Sequence, residues 1–308
     1  MRSTNDLVAV DLFAGLGGFS TGAVLAGARV AWAANHWKRA VELHEANHPD
    51  TIHACQDLHQ ADFTKVPDHD VMLASPACQG HSRARGGNTD ASADLSRSTA
   101  WAVVAAAEVK RPPFVVVENV PDFVRWKLFP AWLSAMNALG YHVEPHEVDS
   151  ADHGVPQNRE RLFLVCSLRA PLRLVLPRRP HVSASSFVQM GEGRWSEVHR
   201  PGRAAATLAR VSWGRQHIGD QFLICYYGNT STARSLTRPI GTITTRDRWA
   251  IVDGDRMRML SAEECKAAMG FPSSTKLPQK HAEAVHMLGN AVCPPVAADI
   301  ITEIARAA

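Results

Sequence analysis

Short apolar runs recur through the first half of the chain, each ended by a glycine, a polar cluster or a helical stretch. Residues 7–13 form one such run, which stops at a glycine-rich turn, and the small residues of 18–26 have helical spacing. An apolar strand follows at 29–33 and a helix at about 37–46, and short strands recur at 71–74, 114–117 and 162–165. The alternation predicts an α/β fold: a Rossmann-like, doubly wound sheet over residues 1–168. Polar residues suited to chemistry stand just past the carboxyl ends of these strands, where loops and helix amino termini converge on ligands in open parallel sheets.

Between about 169 and 255 the pattern changes to proline, glycine, serine and arginine with isolated tryptophans, among them Trp195 and Trp213. Residues 223–227 and 241–245 read as strands and no helical period is evident, so a second, smaller, irregular β-rich lobe is expected. Helix returns at 261–269, with Ser261 as its cap, Glu263 and Glu264 in its first turn and Gly270 beyond its end, and again at about 295–306. The expected division is residues 1–168 plus about 283–308 for the first unit, and about 169–282 for the second.

Of 308 residues, 45% are hydrophobic and 20% charged, which is ordinary for a folded globular chain. No apolar run approaches bilayer length, and the start of the chain leads straight into the first strand. The expectation is a cytoplasmic protein with no membrane partner. Cysteines 55, 78, 166, 225, 265 and 293 form no Cys-x-x-Cys pair and no metal-ligand spacing with histidine, so neither a metal nor a disulfide framework is expected. The net charge of +3 is too small to identify a partner, but nine arginines face two acids between residues 169 and 215. That local excess of seven (nine minus two) favours phosphate contact, with Arg194, Arg203, Arg210 and Arg215 as candidates.

Four motifs carry candidate chemistry. Cys78 lies in Pro76-Ala77-Cys78-Gln79 behind a strand and before a loop rich in glycine and arginine. A thiolate there suits addition to an electron-poor ring, because sulfur is nucleophilic and also leaves readily. Glu118 ends the run 114–117 and, carrying a proton, can hydrogen-bond a ring nitrogen. Arg159 and Arg161 alternate at the entry to a strand, which directs both toward one partner. The turn from Ala14 through Gly15, Leu16 and Gly17 to Gly18 lets backbone amides approach a nucleoside or a methionine moiety. Phe13 and Trp37 offer aromatic faces for an adenine, and Asp57 an acceptor for its amino group.

In this order the motifs resemble the DNA cytosine-5 methyltransferases of bacteria and phages. The likeness covers nearly everything outside the basic lobe: Phe-Ala-Gly-x-Gly-Gly, Pro-x-Cys-Gln, Glu118-Asn119-Val120, Gln157-x-Arg-x-Arg, Arg238-Pro239 with Thr242-Ile243-Thr244-Thr245, and Gly289-Asn290-Ala291-Val292. The resemblance implies Cys78 as nucleophile, Glu118 as activating acid, Arg159 and Arg161 as its supports, and Asn119 as a brace. S-adenosyl-L-methionine is the implied cofactor, held by Phe13, Ala14, Gly15, Leu16, Gly17, Gly18, His36, Trp37, Asp57, Leu58, Pro76, Asn290, Ala291 and Val292. The implied substrate is double-stranded DNA with the target cytosine flipped out. Gln79, Ser82, Arg83, Arg85, Thr244 and Thr245 join the four lobe arginines as its contacts. A monomer with a companion restriction endonuclease is the implied setting. The same chemistry on transfer RNA, and a non-catalytic DNA-binding paralogue, are the alternatives.

Three positions depart from the family pattern. Ala77 stands for the usual proline, His81 for an aromatic, and His36 for the acid that binds the ribose hydroxyls. A neutral imidazole loses the charge-assisted bonds a carboxylate gives a diol. This predicts weaker cofactor binding, or a pocket that admits a modified S-adenosylmethionine.

Overall fold

The computed structural model describes residues 6–77, 99–226 and 231–308. Cys78, Gln79, Ser82, Arg83 and Arg85 therefore lie outside the described residues, as does Tyr227 at the end of one expected strand. The chain forms two compact units: Met1–Asp149 with Glu160–Pro177 and Ala291–Ala308, and Ser150–Arg159 with Arg178–Asn290.

The first unit runs β1 (Val8–Leu12), α1 (Gly18–Leu25), β2 (Arg29–Asn35), α2 (Lys38–Asn47), β3 (Ile52–Cys55), β4 (Val71–Ala74), α3 (Ala100–Lys110), β5 (Phe114–Asn119), α4 (Phe129–Ala138), β6 (His142–Asp149) and β7 (Glu160–Ser167). Its seven strands pair in the order β3-β2-β1-β4-β5-β7-β6. The first five are parallel neighbours, and β7 runs antiparallel to both β5 and β6. The order reverses direction between β1 and β4, so loops leaving Leu12 and Ala74 part to opposite sides and open a crevice at their carboxyl ends.

Val71–Ala74 and Phe114–Asn119 are buried along their whole length, because helices cover both sheet faces. β6 is largely polar and contains Pro145, a composition tolerated because the strand lies at the sheet edge. A core of Val10, Leu12, Met72, Val103, Val115, Trp132 and Leu164, among others, fixes the strand ends that carry the site.

The second unit contains β8 (Ser196–Glu197), α5 (Ala205–His217), β9 (Gln221–Cys225), β10 (Ala233–Ser235), β11 (Trp249–Asp253), β12 (Arg256–Met259), α6 (Ala262–Ala268) and α7 (His281–Asn290). Its antiparallel sheet has the order β10-β9-β11-β12-β8. Helix α5 was not expected. Its buried stripe is Thr207, Arg210, Val211 and Gly214, too polar to register as an amphipathic period. Gly214 permits its close seat: a Cβ there would fall 2.4 Å from the Phe222 ring.

Residues 241–245 are not the expected strand. Their backbone is held by side chains instead: Ile243 N–H donates to Gln157 Oε1 at 2.7 Å, and Trp249 Nε1 donates to the Thr242 carbonyl at 3.3 Å. Ser261 caps its helix as expected, and with Glu264 it forms a capping box.

The chain returns to the first unit in α8 (Pro294–Ala307), which packs on α1. The return comes at Ala291, later than the 283 expected, and 150–159 belong to the second unit. The stretch 281–307 is long and apolar enough by composition to cross a membrane, contrary to expectation; 78% of its apolar window is buried inside the protein, as for core helices.

Candidate active site

The turn after β1 is shaped by its glycines. Phe13 (φ 63°), Gly15 (φ 55°) and Gly17 (φ 88°) all adopt positive φ, and Gly17 N–H closes the turn on the Ala14 carbonyl at 2.8 Å. Ala14 N–H donates to the Ala34 carbonyl at 3.0 Å, which ties the turn to β2. Its inner side is crowded: a Cβ on Gly18 would lie 2.1 Å from the Val292 carbonyl oxygen, and one on Gly17 would lie 2.9 Å from the His44 and His48 rings. Its outer side is open, since a Cβ on Gly15 would meet only the Phe13 carbonyl, at 3.8 Å. A turn closed beneath and open above, with backbone amides at the start of α1, fits the adenosyl and amino-acid parts of a nucleoside cofactor.

His36 is exposed at the end of β2, and Asn35 Oδ1 accepts from Trp37 N–H at 2.9 Å to start α2. Asp57 Oδ1 accepts from His59 N–H at 3.0 Å, and Leu58 beside it is buried. Pro76 is fixed from β5, whose Asn119 donates Nδ2 to the Pro76 carbonyl at 3.2 Å while its Oδ1 accepts from Val120 N–H at 2.9 Å. Ala291 and Val292 begin the return of the first unit, and Asn290 ends α7 in the second, its Nδ2 3.3 Å from His286 Nε2.

Glu118 lies near the end of β5 with its side chain 9% exposed, and Arg161 Nε stands 3.0 Å from its Oε1. Pairing of β5 with β7 is what brings them together, residue 118 opposite Phe163 and 119 opposite Leu162. Arg161 also donates Nη1 to the Glu160 carbonyl at 2.7 Å, which fixes the guanidinium.

Arg159 is buried and its Nη1 and Nη2 donate to the carbonyls of Ile243 (3.0 Å) and Gly289 (2.9 Å) within the second unit. The two arginines are therefore not the equivalent pair that alternation predicts. β7 begins at Glu160, one residue after Arg159, and only Arg161 lies within the strand.

The lobe arginines also differ from expectation. Arg203 donates to Val198 O, Ser196 Oγ and Glu197 O; Arg210 is buried and donates to Ala206 O; Arg215 holds Gly254 O and Asp255. Arg194, by contrast, is exposed. Thr244 Oγ1 donates to the Arg246 carbonyl at 3.1 Å, and a Cβ on Gly289 would fall 2.3 Å from the Thr244–Thr245 peptide. Sequence reading also missed Arg258, which forks onto Glu264 at 2.7 Å through two nitrogens and lies over Trp195 with Arg256. Glu264 in the capping box was the available signal.

A mostly parallel doubly wound sheet with a glycine turn at its switch point, accompanied by an antiparallel second unit, defines the α/β class whose ligands bind at the carboxyl ends of the strands. The family model described as C-5 cytosine-specific DNA methylase matches residues 7–187 and 189–306. Type II methyltransferase M.NlaX of Neisseria lactamica is 28% identical over 304 residues, covering 93% of this chain and 92% of that protein. Type II methyltransferase M.HhaI of Haemophilus parahaemolyticus is 26% identical over 308 residues, covering 92% and 89%.

Among solved structures, a DNA modification methyltransferase encoded within an E. coli prophage superposes with TM-score 0.73 at 18% identity, covering 97% and 98% of the two chains. A Spodoptera frugiperda DNMT2 variant superposes with TM-score 0.69 at 16% identity, covering 97% and 99%. The chain belongs to the C-5 cytosine-specific DNA methylase family and is a DNA cytosine methyltransferase.

Proposed function

We propose that the protein transfers a methyl group from S-adenosyl-L-methionine to carbon 5 of a cytosine flipped out of a specific duplex DNA sequence, through a transient bond from Cys78. The observation that carries this reading is the buried pair of Arg161 with Glu118, the latter on the strand beside β4, which leads through Pro76 to residue 78. Carbon 5 of cytosine is a poor nucleophile until a thiolate adds to carbon 6, which places an electron pair on carbon 5. Glu118 with a proton hydrogen-bonds ring nitrogen 3 and draws that addition forward; Arg161 orients the carboxyl. Bound S-adenosylmethionine supplies an electrophilic methyl group. Loss of the carbon 5 proton to a base then expels the Cys78 sulfur and restores the ring.

The glycine turn with Phe13, Trp37, Asp57, Leu58, Pro76, Ala291 and Val292 is the proposed cofactor cradle, with Asn290 beside it in sequence and His36 at the ribose. Gln79, Ser82, Arg83, Arg85, Arg194, Thr244 and Thr245 are the proposed DNA contacts. Arg203, Arg210 and Arg215 act by holding the reading lobe in shape. A cytoplasmic monomer paired with a restriction endonuclease is the setting this reading implies.

Covalent trapping tests the reading. With S-adenosylmethionine present, duplex DNA containing 5-fluorocytosine, whose fluorine cannot leave as a proton does after methyl transfer, should form a stable adduct with the wild type and none with Cys78→Ala. Failure of the wild type to form it overturns the mechanism. Side-by-side methylation of duplex DNA and transfer RNA decides the substrate.

A further inference from the structure

Beneath the glycine turn runs a chain of polar side chains that the chemistry above does not use. Asp11 is wholly buried in β1, and its Oδ2 accepts from Ser20 N–H at 3.1 Å and from the Ser20 hydroxyl at 2.7 Å. Ser20 Oγ lies 3.0 Å from His44 Nε2, and His44 Nδ1 lies 2.7 Å from His53 Nε2. Asp11, Ser20 and His44 are buried and His53 is half-buried, so the chain leads from the surface inward. His48 runs beside it, its ring 4.6 Å from that of His44 and its Nε2 3.3 Å from the Thr21 hydroxyl. Both rings form the floor of Gly17.

We infer that Asp11 and His44 are positioning residues for the cofactor turn, and that the chain Asp11–Ser20–His44–His53 couples the turn's hold on an adenosyl ligand to uptake of one proton. The inference rests on the reading of that turn as the cofactor cradle. With Asp11 ionised, every hydrogen points inward: His53 Nε2–H to His44 Nδ1, His44 Nε2–H to Ser20 Oγ, and Ser20 O–H to Asp11.

A proton taken up at His53 Nδ1 shifts each link by one. His44 receives hydrogen at Nδ1 and gives up the one at Nε2, Ser20 turns its hydroxyl toward His44, and Asp11 Oδ2 ends protonated. One proton enters, and no group in the chain becomes a cation. The cost falls on the Ser20 amide, which then faces a neutral oxygen where it had an anion. That amide lies in the first turn of α1, where Thr21 N–H also reaches back to the Gly17 carbonyl at 2.7 Å.

The surroundings agree with Asp11 as the proton's resting place. Burial raises its pKa to about 7, against the two Ser20 bonds that lower it. Burial, and then the facing His48 and His53 rings, press the pKa of His44 well below the histidine range. Glu45 on α2 acts on His53. α1 carries no titratable side chain, β2 none between Val30 and Asn35, and the α8 residues against Gly22 are Pro294, Ala297 and Ala298.

Nitrogen-resolved NMR of the His44 imidazole tests the relay without any ligand. The wild type should change from the Nε2–H to the Nδ1–H tautomer between about pH 8 and about pH 6, and Ser20→Ala should not. A wild-type tautomer that stays constant over that range overturns the relay.

Calorimetry with S-adenosylhomocysteine tests the coupling. Wild-type affinity should fall about tenfold over the same range, and Asp11→Asn should bind weakly and evenly throughout. Should Asp11→Asn fail to fold, Ser20→Ala, which removes a bond to the ionised form, should move the midpoint to higher pH. Constant wild-type affinity together with a changing tautomer overturns the coupling. No binding at any pH overturns the cofactor reading instead, while the tautomer still decides the relay.

Discussion

Arg161 Nε stands 3.0 Å from Glu118 Oε1, joining a residue of β7 to one of β5 within a single antiparallel ladder. The two side chains are 16% and 9% exposed, so little water competes for the carboxyl. In the proposed mechanism this guanidinium fixes the direction in which the Glu118 carboxyl presents itself to the base.

Arg161→Ala should lower kcat by about 100-fold while leaving the KM for S-adenosylmethionine near its wild-type value, because the pair supports ring activation and not cofactor binding. Arg161→Lys should restore only part of the loss, since an ammonium cannot repeat the planar hold on both Glu118 and the Glu160 carbonyl. Single-turnover methylation of duplex DNA measures both. A full-rate Arg161→Ala enzyme would remove Arg161 from the mechanism.

Gly18→Ala should be among the most damaging small substitutions in the chain. Its Cβ would be placed 2.1 Å from the Val292 carbonyl oxygen, a backbone atom that moves only if the segment after α7 moves. The expected cost is about 2–4 kcal/mol, read by chemical denaturation. Gly191→Ala, at a site with nothing within 4 Å, serves as the control and should change stability little.

Acidification below neutrality should destabilise the fold before the paired carboxylates titrate. Burial lowers the pKa of His44, of His48 to about 4, and of His53, each from 6.5. A depressed histidine contributes stability above 6.5 that is lost as pH falls toward its folded value, because the unfolded chain takes up the proton first. Asp11, raised from 3.8 to about 7, has the opposite sign and favours the folded state as pH falls through 7. The two more deeply buried histidines, His44 and His48, outweigh one aspartate, so stability should fall as pH drops from about 6.5 to about 5. Thermal unfolding across that range checks it, and a His44→Gln, His48→Gln double variant should show a shallower slope.

Arg258 and Glu264 are 2% and 0% exposed in their side chains. Removing either partner strands a buried charge and should cost about 3–5 kcal/mol, whereas Arg258→Met with Glu264→Leu should be milder than the sum of the single changes. Part of the Glu264→Leu loss belongs to the Ser261 amide, which donates to Glu264 Oε2 at 2.7 Å. Denaturant midpoints of the four proteins give the coupling.

His36→Glu should tighten S-adenosylhomocysteine binding about tenfold if the imidazole at the end of β2 faces the ribose diol, because a carboxylate accepts both hydroxyls. Tight wild-type binding unchanged by His36→Glu would remove the case for weakened or altered cofactor use.

The strands that carry the proposed chemistry were legible because they are buried on both faces and end at glycine, proline or glutamate: 7–13, 71–74 and 114–117 all match observed strands to within about two residues. β6 was not legible, because an edge strand needs no apolar face and this one contains Pro145. Helix α5 was hidden by a buried stripe that includes Thr207 and Arg210, polar residues that blur the apolar period of the helix. The expected strand at 241–245 failed for a different reason: its hydrogen bonds go to the side chains of Gln157, far away in sequence, and Trp249, and not to a neighbouring strand, so local alternation could not reveal them.

Local order of residues determined the doubly wound sheet, the glycine turn and Glu118 at the end of a buried strand, because burial and turn geometry leave their mark within a few neighbouring positions. Tertiary structure alone decided that Arg161 meets Glu118, that Arg203 and Arg215 fasten their own lobe, and that Asp11 meets His44 through Ser20. A charged side chain goes where a partner removes the cost of taking it from water, and those partners lie on other strands and helices.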